Sequence, residues 1–307
     1  MHFISIVIPV YKSKESLPLL IEQLRNNLRR LGYKYEIIAV DDCSPDDTWK
    51  TMLSLKKEIN ELKIVRLLKN SGQHNATLCG FNLSQGDIVI TMDDDLQNPP
   101  EEVSKLIDAI DKGYDLAIGS YDSKKHSLWK NFGGHLVDLT LRRIFHLPRG
   151  FQLTSFRAAR KTVIDNVVDM GGIFPYVTAM LFSHTSQYTN VAVHHAPRLY
   201  GKSNYNLKRS VLLALNLLLS YSSYPLYFVA ILCLGVLGCS VVFSSLIAWR
   251  VLAQGSAVAG WASTILSISF FNGLVLLALV IHSLYLSRLN QQITRSRVAF
   301  TIGELHE

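Results

Sequence analysis

Three consecutive aspartates, Asp93, Asp94 and Asp95, followed by Leu-Gln-Asn-Pro-Pro-Glu-Glu, are the residues in this chain best suited to chemistry. Adjacent carboxylates repel one another, and a divalent cation relieves that repulsion. Alternate residues of an extended segment share a side, so Asp93 and Asp95 point together. A pair of hard oxygen ligands suits Mg²⁺ or Mn²⁺ better than zinc. The plain alternative is an acidic turn that caps a helix, since aspartate is also a favoured N-cap.

The surrounding pattern must position these groups. An apolar, β-branched run from Ile88 to Met92, bounded by Gly86, reads as a buried strand that delivers the aspartates at its C-terminal end. Pro99 and Pro100 then open a helix at its first turn. Upstream, Phe3 to Val10 is a strand ending in Pro9, Val10 and Tyr11. Leu17, Leu20, Ile21, Leu24, Leu28 and Leu31 recur at helical spacing until Gly32 stops the helix. Tyr35 to Val40 is a strand that runs into Asp41-Asp42-Cys43-Ser44, and Leu62 to Leu68 precedes Asn70-Ser71-Gly72-Gln73-His74. A helix from Glu101 to Ile110 and a strand from Asp115 to Gly119 follow the aspartates. Strands and helices alternating through short connections predict a parallel, doubly wound sheet. Its polar strand ends lie along one edge, where such sheets bind ligands. No Gly-x-Gly-x-x-Gly follows the first strand and no Walker-type Gly-Lys-Ser occurs, which argues against a dehydrogenase or an ATPase. Further strands are expected over Gly150 to Arg157 and Thr185 to His195; His194 and His195, without partners at metal-ligand spacing, are read as the two faces of the latter.

Composition divides the 307 residues. The chain is 49% hydrophobic and only 18% charged, against about 25% charged in an ordinary soluble domain, and its mean hydropathy is +0.19. The apolar excess lies after Ser210, with no charged residue from there to Ala248. Two transmembrane helices are expected, over 225–252 and 262–287, each longer than the about 20 residues a span needs. Residues 206–224 read as an interfacial helix and 288–307 as a cytoplasmic tail. Basic residues flank the outer ends of the pair (Lys202, Lys208 and Arg209, then Arg288, Arg295 and Arg297), which places both ends in the cytoplasm. With no signal-peptide pattern at Met1, residues 1–205 are expected to stay on that side of the membrane. Lys124, Lys130, Arg142 and Arg143 interleave with Trp129, Phe132 and Leu136, so that about 127–145 reads as a basic amphipathic helix on a membrane surface. Net charge of +7, in a chain with apolar spans, favours anionic lipid or a phosphate substrate over nucleic acid. Four cysteines without metal or redox spacing are read as small buried hydrophobes.

The strand ends Pro9–Tyr11, Asp41–Asp42 and Asp93–Gln97, brought together, can hold a base, a ribose and a metal-bound diphosphate without a phosphate-binding glycine loop. At these residues the chain resembles the family 2 glycosyltransferases, and among them the polyprenyl-phosphate sugar transferases. Val7-Ile-Pro-Val-Tyr11, Val40-Asp-Asp42 with Ser44, Asn70-Ser-Gly-Gln-His74 and Asp93-Asp-Asp-Leu-Gln-Asn-Pro-Pro-Glu101 arrive in that family's order, followed by the two C-terminal spans. The resemblance implies a GT-A fold, a Rossmann-like α/β domain with a mostly parallel sheet. It implies that Pro9, Tyr11, Glu15, Asp42, Asp93 and Asp94 line the nucleotide-sugar site and that Asp93, Asp95 and Gln97 hold Mg²⁺ or Mn²⁺. Lys124, Lys130, Arg157 and Arg198 would meet the acceptor phosphate, with Asp95, Arg157 and Arg198 the catalytic set.

The chain also departs from that family. Asp94 stands where a small residue is usual, Gly150-Phe-Gln-Leu-Thr-Ser-Phe-Arg157 lacks the usual carboxylate, and Tyr121-Asp122 replaces arginines. A sugar hydroxyl needs a general base before it can attack. An ionised phosphate monoester does not, so the missing carboxylate fits a polyprenyl-phosphate acceptor. The expected reaction is inverting transfer of one sugar from a nucleotide donor, with uridine as the base, at the cytoplasmic membrane. Another lipid acceptor and a catalytically silent scaffold are the alternatives; a homo-oligomer is left open. A processive polysaccharide synthase is disfavoured because no Gln-x-x-Arg-Trp occurs.

Overall fold

In β1 (Phe3–Val10) every residue after Phe3 is buried, the mark of a strand covered on both faces. It lies at the centre of an eight-stranded sheet whose order is β7-β5-β6-β4-β1-β2-β3-β8. The strands are β2 (Lys34–Asp41), β3 (Leu62–Leu67), β4 (Ile88–Thr91), β5 (Leu116–Ser120), β6 (Arg157–Arg160), β7 (Tyr188–Ala192) and β8 (Ile302–His306). The computed structural model describes residues 2–121, 139, 142–145, 147–148, 150–170, 175–196, 224–254, 260–294 and 300–307. The expected amphipathic helix near 127–145 falls largely outside them, and the interfacial segment 206–223 does so entirely.

The helices follow from apolar periodicity. In α1 (Ser16–Arg30), Leu17, Leu20, Ile21, Leu24 and Leu28 have no exposed surface, and Gly32 at φ 73° ends the turn. In α4 (Val103–Asp111), Val103, Leu106, Ile107 and Ile110 are likewise fully buried. Helices α2 (Thr48–Glu58), α3 (Gln73–Leu83), α5 (Lys161–Met170) and α6 (Val177–His184) complete the described set of the α/β part.

The parallel pairs β1–β2, β1–β4 and β2–β3 meet the expectation of a doubly wound sheet. Two strands do not. β6 runs antiparallel between β4 and β5, with Thr91 opposite Arg157. Residues 151–155, expected as strand, form the irregular approach to it. Because β6 runs backwards, its first residue lies at the carboxyl edge of the parallel strands. β8 lies antiparallel on β3, pairing Val65 with Leu305 and Arg66 with Glu304. The expected tail therefore covers what would otherwise be an open edge strand. A Cβ at Gly303 would lie 2.8 Å from Leu68 Cδ2, the end of an exposed side chain that would have to move aside.

The chain divides into two units, Met1–Ala214 with Arg295–Glu307, and Leu215–Thr294. The second contains α7 (Tyr224–Gln254, 31 residues) and α8 (Trp261–Thr294, 34 residues). Among the described residues no helix is long and apolar enough to cross a membrane; many side chains of α7 and α8 are not among them. Of the four cysteines only Cys79 is buried, and Cys233 and Cys239 are exposed on α7, contrary to expectation.

α3 packs on β1 through Gly80, where a Cβ would collide with Val7 Cγ1. Replacing glycine by alanine gains about 1 kcal/mol of helix propensity, but overpacking a filled core costs about 1–3 kcal/mol. Gly80→Ala is expected to be net destabilising, and Val7→Ala, which makes room, should remove part of that cost in the double variant. Denaturant midpoints of the four proteins check this; simple additivity would show that the contact does not limit α3.

Candidate active site

Three strand ends meet at the carboxyl edge, and the backbone is strained at each. Lys12 after β1, Cys43 after β2 and Leu96 after β4 have φ of 57°, 56° and 62°. A non-glycine residue in the left-handed region costs roughly 1–2 kcal/mol, and such strain concentrates where function over-determines the geometry. These are the three ends expected from the sequence.

Hydrogen bonds tie the ends to one another. Lys12 N donates to Ser44 Oγ at 3.0 Å and Ser13 N to Thr48 Oγ1 at 3.0 Å, joining the first loop to the second. Asp94 accepts from Tyr11 N at 3.1 Å and from Ser13 Oγ, joining the first to the third. The middle aspartate thus turns inward, and its expected place in the nucleotide-sugar site becomes that of a strut beneath it. Asp42 accepts Ser71 N at 2.6 Å and Gly72 N at 2.8 Å and is 4% exposed. The expectation that it reads a base meets a carboxylate already committed to the neighbouring loop. Pro9 is buried, while Tyr11 and Glu15 are exposed at the same edge.

Asp93 and Asp95 flank Asp94 and make hydrogen bonds of their own. Asp93 accepts Gln73 Nε2 at 2.6 Å and Ser155 Oγ, and Asp95 accepts Gln97 N at 3.1 Å. Among the described residues no group of three or more His, Cys, Asp or Glu converges to hold a metal. Two carboxylates and an amide oxygen nonetheless fit Mg²⁺ or Mn²⁺, which commonly take one or two protein carboxylates plus substrate phosphates. Gln97 is fixed from the other side. Its Nε2 is 3.2 Å from His195 Nε2, and its carbonyl accepts Ala196 N at 2.9 Å.

Sequence reasoning missed the cluster around Gln97. The ring of His195 lies on Tyr121 with centroids 4.1 Å apart, and Tyr121 Oη donates to Asn98 Oδ1 at 2.7 Å. Gln152 clamps Tyr121 through both its backbone groups, at 2.9 Å each. Tyr121 and Gln152, two of the departures noted in the sequence, therefore form one unit. The strand holding His194 and His195 was expected to end at His195; it ends at Ala192, which leaves both histidines in the following loop. The usable signal was position, since polar residues just beyond a strand reach the functional edge.

Below Asp93 lies a cavity of about 210 Å³, lined by Pro9, Gln73, His74, Thr77, Thr91, Met92, Leu153 to Ser155, Arg157, Tyr176 and Thr178. Arg157, expected beside the acceptor phosphate, is 4% exposed in this lining. Its Nε donates to Thr91 Oγ1 at 3.2 Å and its Nη1 to Thr178 Oγ1 at 2.8 Å. Burial lowers its pKa to about 10, partly opposed by Tyr176 and Asp93, so it stays charged at neutral pH. Burial, with the Arg157 charge, lowers His74 to about 4 and keeps it neutral. Lys124, Lys130 and Arg198, the other acceptor-phosphate candidates, lie outside the described residues.

Burial raises Asp94 to about 6, against its hydrogen bonds from Ser13 and Tyr11, so Asp94 and His74 oppose each other in pH dependence. For Asp94 the folded state binds more protons between the ordinary carboxylate value and about 6, and stability falls as pH rises through that window. For His74 the unfolded state binds more protons between about 6.5 and 4, and stability falls as pH drops. Each contribution is on the order of 2–3 kcal/mol. In EDTA, Asp94→Asn is expected to lose stability relative to the parent between about pH 7 and about pH 4.5, and His74→Asn to gain it. Urea midpoints at the two pH values test the signs; shifts of the same sign in both variants would contradict the assignment.

Residues 5–177 match the family model for glycosyl transferase family 2. The chain is 31% identical over 314 residues to the undecaprenyl-phosphate 4-deoxy-4-formamido-L-arabinose transferase of Pseudomonas fluorescens (strain SBW25), covering 99% of this chain and 90% of that protein. It is 33% identical over 224 residues to the protein of the same name from Yersinia enterocolitica, covering 73% and 68%. Glucosyl-3-phosphoglycerate synthase from Mycobacterium tuberculosis, crystallised with Mn²⁺, UDP and phosphoglyceric acid, superposes with a TM-score of 0.52 at 19% identity, over 71% of this chain and 76% of that one. That likeness is one of fold, an α/β domain of GT-A type with a mostly parallel sheet. With the sheet, the aspartates at the end of β4 and these matches in place, the chain belongs to glycosyl transferase family 2 and is a glycosyltransferase.

Proposed function

We propose that the protein transfers a single sugar, with inversion, from a UDP-sugar to undecaprenyl phosphate or a similar polyprenyl phosphate at the cytoplasmic face of a membrane. The observation that carries this reading is the acid content of the site. Asp93 is the only acid among the described residues lining the cavity, and Gln152 stands clamped to Tyr121 in the segment where a base would be sought. A phosphate acceptor is already ionised and needs no such base. Its oxygen attacks the anomeric carbon, the bond from that carbon to the diphosphate breaks, and the nucleoside diphosphate leaves with the electron pair. Mg²⁺ or Mn²⁺ at Asp93, Asp95 and Gln97 would supply charge stabilisation for the leaving diphosphate. Tyr11 and Glu15 flank the nucleoside, while Asp42 and Asp94 hold the loops that frame it. Arg198, Lys124 and Lys130 are proposed to meet the acceptor phosphate. Relatives named for undecaprenyl phosphate, matched over nearly their whole length, support this acceptor.

The membrane reading is proposed with it. α7 and α8 have 31 and 34 residues, and their described side chains include exposed Phe228, Ile231, Leu234, Trp249, Phe270, Leu276 and Leu286. Apolar exposure on that scale marks a surface meant for another apolar phase. β8 adds a topological argument. It lies in the sheet of the catalytic domain, so the chain between them must cross a membrane an even number of times. Two spans satisfy this; a third over 206–224 would not.

Membranes containing the protein, given radiolabelled UDP-sugars and undecaprenyl phosphate, are expected to form a labelled lipid. Asp95→Ala or EDTA should abolish it while leaving the protein folded and in the membrane. Undecaprenol, which lacks the phosphate, should be at least about 100-fold poorer as acceptor, or about 2.7 kcal/mol in transition-state stabilisation. Comparable transfer to the alcohol would sink the phosphate-nucleophile reading. For the topology, a cysteine introduced at Ser256 should react with an impermeant thiol reagent in intact cells, and one at Ser296 should not. Labelling at both positions would reject the two-span arrangement.

A further inference from the structure

We infer that the cavity lined by Asp93 and Arg157 selects the transferred sugar, and that Arg157 reads a carbonyl or carboxylate oxygen carried by that sugar. This rests on the reading of the chain as a nucleotide-sugar-dependent transferase and adds the chemical class of the donor.

A guanidinium carries five N–H donors and no acceptor. Arg157 is 4% exposed, yet its protein hydrogen bonds go only to two neutral hydroxyls, Thr91 Oγ1 and Thr178 Oγ1. Among the described residues it makes no ion pair, and its Nη2 has no hydrogen-bond partner. Burying an unpaired cation is costly, and such a group persists where a ligand completes it. The two threonines, one on β4 and one on α6, fix the plane of the fork, so the remaining N–H groups are aimed rather than free to rotate. Asp93 lies at the opposite part of the same lining, engaged by Gln73 and Ser155.

The rest of the lining suits a sugar ring. Thr77, Thr154, Ser155 and Tyr176 bring hydroxyls and Gln73 an amide; the Thr77, Thr154 and Ser155 hydroxyls donate within the protein, which leaves their oxygens as acceptors for ring hydroxyls. His74 packs edge-on against Tyr176 with centroids 4.7 Å apart, and its neutrality leaves Arg157 as the cation of this set. A cavity of about 210 Å³ has the scale of one monosaccharide. A ring bearing hydroxyls alone leaves the guanidinium without a strong acceptor. A carboxylate or an N-acyl carbonyl supplies one, and charge-assisted hydrogen bonds of this kind are about twice as strong as neutral ones. The lipid-linked phosphate is a poor occupant because the guanidinium is 4% exposed and lines a small cavity.

Binding of UDP, UDP-glucose, UDP-N-acetylglucosamine and UDP-glucuronic acid to the full-length protein in detergent with Mn²⁺, measured by calorimetry, tests the inference. At least one of the two substituted donors is expected to bind about tenfold more tightly than UDP-glucose. A lead for the uronate identifies a carboxylate as the group read, and a lead for the N-acetyl donor identifies an amide carbonyl. Arg157→Gln should reduce the preference to less than about threefold while leaving UDP affinity unchanged. Should Arg157→Gln fail to fold, Thr178→Val decides: it keeps volume and charge but removes the Nη1 anchor, and should cut the preference with UDP affinity intact. UDP-glucose binding as tightly as both substituted donors, or a preference that survives these variants, overturns the role of Arg157 and leaves the nucleotide reading standing. No binding of UDP itself overturns both.

Discussion

Three adjacent carboxylates cannot all face one ligand, and the way this chain disposes of the third shapes everything near it. Asp94 turns away from Asp93 and Asp95 and accepts from Tyr11 N and Ser13 Oγ. One repulsive charge is thereby removed from the ligand side and becomes a fastening between two strand ends. Asp42 does the equivalent for the loop at Ser71 and Gly72. The edge is thus held by Asp42 and Asp94, each bonded to a neighbouring loop, and Asp93 and Asp95 are the pair proposed to meet a metal-bound diphosphate. The three left-handed residues, Lys12, Cys43 and Leu96, are the local cost of bending each strand end into that arrangement.

The sheet explains how a distant segment joins this edge. An all-parallel sheet would bring only βα loops to its carboxyl edge. Inserting β6 antiparallel between β4 and β5 brings the start of that strand there instead, and with it Thr154, Ser155 and Arg157. The register that sets Arg157 opposite Thr91 also lets its guanidinium reach Thr91 Oγ1. A cation at the start of one strand and an aspartate just past the end of its neighbour come to share one cavity through strand direction alone.

Much of this was legible in the sequence where a pattern is local. The parallel strands, their helices and the three polar ends follow from periodicity, glycine stops and the Pro99-Pro100 start. What was not legible depends on pairing between distant segments. Nothing in Ala-Ala at 158–159 says that β6 runs backwards, and the short Ile-Gly-Glu-Leu-His of β8 carries little strand propensity; it is strand because the open edge of β3 offers it hydrogen bonds. The hydrogen bonds that Asp42 and Asp94 make to neighbouring loops were not legible for a related reason. A carboxylate at a strand end reads as a ligand group, and only the position of the neighbouring backbone N–H groups shows whether it is already spoken for. His195 was read by its spacing along the chain, whereas its partners, Gln97 and Tyr121, come from two other strand ends.

The electrostatics of the cavity bear on how one fold separates donor recognition from acceptor activation. A catalytic base beside the anomeric carbon would add a second carboxylate near Asp93, and a metal-bound diphosphate would then meet more negative charge than the pair at the end of β4 presents. The described lining holds instead one acid, one buried cation and a neutral imidazole. If, as proposed, proton removal is left to the acceptor's own ionisation, this region can carry groups that discriminate among sugars. Burial gives those groups their force. A buried guanidinium that costs free energy when nothing in the cavity accepts from it would, on the inference drawn above, turn that cost into discrimination once an acceptor oxygen arrives.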